Sequence, residues 1–352
     1  MTIQPETLHA ALVRAGVHAV RDAPLGSRTT YRVGGNAAVC AEVKSLRDLV
    51  QVARVVNELS VRDVLVVGNG SNMLVADSGY HGLAVVLDSV GPDDVLISRD
   101  GTVEASGHIS LPQLARQSVA GHRCGLEWAV GVPGTVGGGV RMNAGGHGSD
   151  MASSVIDAHV VDMLSGRESR VSVSDLGLRF RGSALRGHHV VVSVRCATND
   201  EPKEGDHSVH EGRTCAEEIA EIVRWRRDHQ PGGQNAGSVF VNPGVGTHSA
   251  GALIDSTGAR GLRRGSAVVT EKHANFIQSE PHGRADDVVE LMCVVQDMVH
   301  QQHGIRMRSE IALVGFANDL VSRFADDAMN DPHVASAQAK LDAILANGDP
   351  VL

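Results

Sequence analysis

The stretch 131–148, GVPGTVGGGVRMNAGGHG, constrains this chain more than any other part of it. Eight of its eighteen residues are glycine, so it carries little side-chain surface with which to fill a core. Such density suits a main chain wrapped closely round a flat or phosphorylated ligand, which only glycine lets approach the backbone. Thr135 and Asn143 could supply side-chain hydrogen bonds. A glycine-rich crossover between strands is the plainer alternative.

A second glycine loop, GNGSN at 68–72, follows the apolar run DVLVV. Gly68 and Gly70 permit a tight turn, after which successive N–H groups and the side chains of Ser71 and Asn72 could face an anion. The loop is not a dinucleotide fingerprint, because a third glycine would have to stand at Met73. It is not a P-loop, since no GK[ST] occurs. HExxH and GxSxG are also absent, the 18 histidines show no zinc spacing, and no metal site is expected. From the residues alone the reading is a protein that binds a phosphorylated cofactor.

The remaining pattern is that of an α+β protein. Apolar residues recur at helical spacing in PETLHAALVRAG, and in 45–59, where Ser45 and Asp48 resemble a capping box. Short strands dominate 83–197 (LAVVL, DVLIS, TVEAS, AHVVDM, ESRVSVS, HVVVSVRCA), interrupted by one helix, LPQLARQSVAG. The polar run 199–212 reads as a loop or boundary. Helices are expected at TCAEEIAEIVRWRRDH, with Thr214 and Glu217 as a capping box, at ADDVVELMCVVQDMVHQQHG, and near the end of the chain. These divisions predict lobes at 1–82 and 83–212, a third domain at 213–316, and an acidic tail with a helix at 317–352. The net charge of −9 argues against nucleic-acid binding. With no long apolar segment and no basic, apolar leader, the chain reads as cytoplasmic, without a membrane partner. Five dispersed cysteines (Cys40, Cys124, Cys196, Cys215, Cys293) predict reduced thiols.

Taken in order, the motifs resemble one family over roughly 29–316. TTYRVGGNA, GNGSNMLVADSGYHGLAVVL, GLEWAVGVPGTVGGGVRMNAGGHG, FRGSAL, AGSVFVNP, AGALIDSTGARG, GSAVVTEKHANFI and SEIALVGF are similar to successive motifs of the UDP-N-acetylenolpyruvoylglucosamine reductases. The resemblance is to the form lacking an extra substrate-covering loop. It implies a two-lobed, vanillyl-alcohol-oxidase-like region holding non-covalent FAD, then a C-terminal α/β domain for the nucleotide-sugar. It also implies a monomeric cell-wall enzyme with NADPH as hydride donor, making UDP-N-acetylmuramate for peptidoglycan. Another FAD oxidoreductase of this fold, or a flavin-binding paralogue without turnover, are the alternatives.

The implied cofactor contacts are Gly68, Asn69, Gly70, Ser71 and Asn72, then Gly131, Val132, Pro133, Gly134, Thr135, Gly137, Gly138 and Asn143. The implied catalytic residues are Arg181 and Glu310, which stabilise an enolate-like charge, and Ser238, which donates a proton. A carboxylate beside an anionic substrate is expected to have a raised pKa. Asn242, His229, Lys272, His273 and Asn275 are the implied substrate contacts. Three positions depart from the family pattern. Phe180 stands where Tyr is usual, Val241 where Lys is frequent, and His229 where Lys is common. The reading that follows is substrate binding through fewer fixed charges, helped by His229, Arg224 and Arg226, which a lysine at 241 would strengthen.

Overall fold

A computed structural model describes residues 3–200, 213–244, 248–325 and 332–351. The first lobe is a four-stranded sheet in the order His18–Ala23, Ala37–Val43, Tyr80–Leu87, Val64–Val67. Its first pair is antiparallel and the others are parallel. The helix Leu46–Glu58 covers it, burying Leu49, Val52, Ala53, Val55 and Val56, the face that a 3.6-residue period puts on one side. Ser45 caps this helix by accepting from the Asp48 N–H, as its position suggests, but Asp48 answers on the N–H of Lys44. The predicted boundary at 82 falls inside the strand Tyr80–Leu87. This strand is fully committed to the first lobe, so that lobe extends to 87.

The second lobe is a six-stranded antiparallel sheet, in the order Asp349–Pro350, Arg167–Ser172, Val155–Asp162, His189–Cys196, Val103–Ser106, Leu96–Ile97. Two of its members come from unexpected places. The helix Pro332–Ala346 buries Leu341 and Leu345 in the core of this lobe, and Asp349–Pro350 supplies the edge strand. The end of the chain is therefore part of the second lobe and not a separate tail. Of the polar run 199–212, Asn199–Asp200 pairs with Arg123–Cys124; the rest lies outside the described residues.

The third domain packs the helix Ala285–His303 on a small antiparallel sheet, Arg263–Arg264, Ala267–Val269 and Ile277–Ser279. The helix buries Val288, Val289, Leu291, Met292, Val295 and Val299, each contributing about 1.5–3 kcal/mol of apolar transfer before entropy is counted. Gly304 ends it in the left-handed region, as expected. The helix Cys215–His229 starts with the complete capping box of Thr214 and Glu217. Two features tie this domain to the first lobe. Ala312–Val314 runs parallel to Met73–Val75. The Asp77 carboxylate accepts from the N–H groups of Ala285 and Asp286, at 3.0 and 3.2 Å, capping from the first lobe a helix with no side-chain cap of its own.

The cysteines differ from expectation. Cys124 and Cys215 are joined by a disulfide across 91 residues, while Cys40, Cys196 and Cys293 are free. Dispersion in sequence says nothing about proximity once 213–229 folds back onto the second lobe. Among the described residues no helix is long and apolar enough to cross a membrane.

Candidate active site

One cavity of about 550 Å³ lies where the two lobes and the third domain meet, within the range of small-molecule and cofactor sites. Eleven of its lining residues are glycine, and the two glycine loops press against each other. A Cβ on Gly68 would lie 2.6 Å from Thr135 Oγ1, and one on Gly134 (φ +116°) would lie 2.7 Å from Ser71 Oγ. Thr135 cannot give way cheaply, since its hydroxyl accepts from the Gly138 N–H at 3.2 Å and so caps the turn of helix Val136–Met142.

All but one of the expected cofactor residues line this cavity: Gly68 to Asn72, Gly131 to Thr135, Gly137 and Gly138. Asn143 does not. It is buried at φ +42°, where its amide donates to Asp150 Oδ2 and the Arg179 carbonyl and accepts from the Ala152 N–H. It ties the end of the glycine helix to the turn that carries Arg181. Among the lining residues not foreseen, five carry polar side-chain atoms: Arg141, His147, His189, Trp225 and Gln230. Arg141 alone had a sequence signal, as the one charged side chain in the glycine stretch. Arg226 does line the cavity, whereas Arg224 pairs with Glu221.

The electrostatics suit an anionic group. Burial lowers the pKa of Arg141 and of Arg226, and neither has an ion pair among the described residues. Two partnerless guanidinium groups and a glycine cradle in one cavity fit the diphosphate of FAD. His189 is held neutral: burial first, then the charge of His188, pushes its pKa down to about 3. Its Nδ1 accepts from the Arg186 N–H at 3.1 Å, which leaves Nε2 as the donor.

Arg181, Ser238 and Glu310 all line the same cavity. Arg181 sits in the turn Arg179–Gly182 with φ +57°, a conformation that costs a non-glycine residue energy and that recurs at functional sites. Its Nε lies 2.7 Å from Glu310 Oε1, yet this buried N–H has no aligned acceptor. The contact is therefore close but not a well-directed hydrogen bond. Glu310 is placed by the strand that returns to the first lobe. Its N–H donates to the Val239 carbonyl, and its carbonyl accepts from Asn72 Nδ2. Burial raises the Glu310 pKa, against the opposing pull of Arg181 and Arg308.

Ser238 follows Gly237 (φ +79°) at the head of a buried segment. Among the described residues its hydroxyl makes no hydrogen bond, while its neighbours are tightly held. The Val239 N–H donates to the Asn275 carbonyl at 2.9 Å. The Asn275 side chain accepts from the Phe240 N–H at 3.0 Å and donates to the Phe240 carbonyl at 2.8 Å.

The five expected substrate contacts are placed otherwise, since none lines the cavity. Asn275 has its amide on Phe240. Asn242 accepts from the Ala250 N–H, and Lys272 donates to the Arg227 carbonyl. His273 Nδ1 accepts from the Asn275 N–H. His229 stacks on Trp225 at 4.6 Å and bonds the Trp225 carbonyl. Val241 is 1% exposed, so a lysine there would be buried in protein; Phe180, at 57%, is largely in solvent.

Comparison with known proteins places this geometry. Residues 37–172 match the FAD binding domain, and 229–314 match the C-terminal domain of UDP-N-acetylenolpyruvoylglucosamine reductase. The chain is 37% identical over 297 residues to UDP-N-acetylenolpyruvoylglucosamine reductase 2 of Symbiobacterium thermophilum, covering 84% of this chain and 92% of that one. It is 37% identical to the Synechococcus sp. (strain RCC307) reductase, over 87% and 97%. The solved reductase of Thermus caldophilus superposes with a TM-score of 0.68 at 30% identity, over 85% of this chain and 98% of that one. The glycine cradle, the three converging side chains and this likeness along nearly the whole chain make the protein a member of the UDP-N-acetylenolpyruvoylglucosamine reductase family of FAD-containing oxidoreductases.

Proposed function

We propose that this enzyme uses NADPH to reduce the enolpyruvyl ether of UDP-N-acetylglucosamine enolpyruvate to the lactyl ether of UDP-N-acetylmuramate, a peptidoglycan precursor. The observation that carries this reading is the convergence of Arg181, Ser238 and Glu310, from three remote segments, on one glycine-lined cavity. FAD held against the two glycine loops supplies the chemistry of hydride relay from NADPH to the substrate's methylene carbon.

Everything else falls to side chains of this chain. Hydride addition moves charge onto the substrate carboxylate. Arg181 offers a fixed cation there, and its buried Nε–H without an aligned acceptor is suited to a carboxylate oxygen. Glu310 is shifted toward its protonated form by burial, so it can donate to the same carboxylate instead of repelling it. The Ser238 hydroxyl, which no acceptor among the described residues holds, gives a proton to the carbon next to the carboxylate, and water then reprotonates the serine. A hydroxyl is a weak acid, but a carbanion-like carbon is a strong base.

Anaerobic stopped-flow absorbance tests the proposal. NADPH should bleach the flavin, and the enolpyruvyl nucleotide-sugar should restore its colour. Reduced flavin that only oxygen reoxidises would overturn the assignment.

A further inference from the structure

Outside the site, the cluster with most chemical potential is Cys124, Glu127 and Cys215, whose side-chain ligand atoms lie within 4.8 Å of one another. We propose that Cys124 and Cys215 are a thiol–disulfide exchange site for low-molecular-weight thiols and disulfides, and that it latches the helix Cys215–His229 over the cavity. The inference goes beyond the reductase reading and needs no substrate.

The latch stands at a mechanically decisive place. Cys215 opens the helix, while Trp225 and Arg226 near the other end, and Gln230 just beyond it, line the cavity. Between these ends the helix has few anchors. Only Cys215 and Ile222 are buried among its fifteen residues. Ile222 packs on Gly131, where an added Cβ would come within 2.9 Å of its Cγ2. Trp225 meets His147 edge-on at 5.1 Å, and Lys272 donates to the Arg227 carbonyl. Two of its ion pairs, Arg224 with Glu221 and Arg227 with Asp228, lie within the helix and hold it to nothing else. Ile219 adds a half-buried contact to the same core as Ile222, so apolar docking is confined to two isoleucines and the covalent tie fixes the first turn.

The exchange balances simply. Two protein thiols and one small disulfide give the Cys124–Cys215 bond and two small thiols; two electrons pass to the small disulfide, and the two thiol protons go to its products. Excess thiol reverses the reaction. Both sulfurs are buried, but Cys215 is flanked by exposed Thr214 and Ala216, so fraying of the first helical turn uncovers it. Glu127, which accepts from the Gly125 N–H through both oxygens, has a carboxylate oxygen within 4.8 Å of both sulfurs.

The test uses full-length protein with its flavin. Thiol titration in denaturant should find three reactive cysteines of the five before reduction and five after it. Trypsin should cut at Arg224, Arg226 and Arg227 about tenfold faster after dithiothreitol, as expected when local opening becomes that much easier. Flavin release should quicken, and glutathione disulfide should restore both rates. Cys124→Ser/Cys215→Ser should stay in the fast state regardless of redox conditions, while Cys293→Ser should switch normally. Five thiols in the air-exposed protein, or equal cleavage before and after reduction of the unmutated chain, would overturn the proposal. The reading of thiols and cleavage in the unmutated chain holds even if the double variant does not fold, and none of the outcomes depends on the reductase assay.

Discussion

Replacing Asn275 with alanine isolates the device that holds Ser238 in place. The amide satisfies both main-chain groups of Phe240, a residue with no exposed surface, at 3.0 and 2.8 Å. Asn275→Ala leaves one buried donor and one buried acceptor without partners. Each costs about 1–3 kcal/mol, so the range is roughly 2–6 kcal/mol, toward the lower end if water enters the space. At a urea m-value of about 2 kcal/mol/M, a loss of 3 kcal/mol moves the midpoint by about 1.5 M. Circular dichroism in urea reads this directly. Asn275→Asp should fall between parent and alanine, because a carboxylate accepts from the Phe240 N–H but cannot donate to its carbonyl. Reoxidation of reduced flavin by substrate should slow alongside, since Ser238 is two residues from the lost clamp, while flavin reduction by NADPH is kept. An Asn275→Ala protein as stable as its parent would refute the reasoning, for it would show that the clamp carries no load.

Ser238→Ala should retain FAD and its reduction by NADPH, yet slow substrate-dependent reoxidation by roughly 10²–10⁴-fold, with Ser238→Cys less impaired; stopped-flow absorbance separates the two half-reactions. His189 predicts an acid limb in stability. Its folded pKa of about 3 lies below the ordinary value of 6.5, so the unfolded chain binds the extra proton, and stability present above about pH 6.5 is lost as pH falls toward 3. Thermal melts at pH 7 and pH 5 should show a smaller acid loss for His189→Gln than for the parent, and equal losses would refute this. Glu310 carries the opposite sign: its raised pKa favours the fold below the ordinary carboxylate value, a contribution lost as pH rises through the shifted one, and Glu310→Gln should flatten that limb. Val241→Lys should destabilise by several kcal/mol and not tighten substrate binding, because the side chain at 241 is buried; denaturation in urea and flavin-monitored substrate titration decide between the two.

Much of the fold was legible because local patterns here agree with tertiary ones. The helix Leu46–Glu58, the strand and loop around Gly68, the capping box at Thr214 and the stop at Gly304 each depend on residues within one turn of each other. The misreadings share a different cause. Whether Tyr80–Leu87 closes one lobe or opens the next depends on its partners Ala37–Val43 and Val64–Val67. The apolar face of Pro332–Ala346 does not say which core it will fill. Nor does any sequence separation announce that Cys215 will come to rest beside Cys124.

The site divides along the same line. The glycine stretch stands out because its density leaves little side chain to fill a core, and the three catalytic candidates follow from motifs that surround them. Polar residues inside those motifs are ambiguous, because an asparagine bonds a ligand and a stranded main-chain group with the same atoms. Asn143 and Asn275 both resolve toward the main chain: one fixes the turn behind Arg181, the other the segment behind Ser238. Their placement explains why they belong in the motifs without touching the cavity. A φ of +57° at Arg181, and a serine hydroxyl with no partner among the described residues, hold only if the backbone on either side is over-determined. The pairing of Ala312–Val314 with Met73–Val75 does the same for Glu310, joining the acid to the glycine loop that lines the cavity. Motion of the third domain and the first lobe relative to the second lobe would therefore shift Glu310 and the glycine loop at 68–72 together, with Ser238 coupled to Glu310 through the Val239 carbonyl. Of the three candidates, Arg181 alone sits on the second lobe, so its distances to Glu310 and to Ser238 are the ones that a shift of that lobe against the other two parts would change.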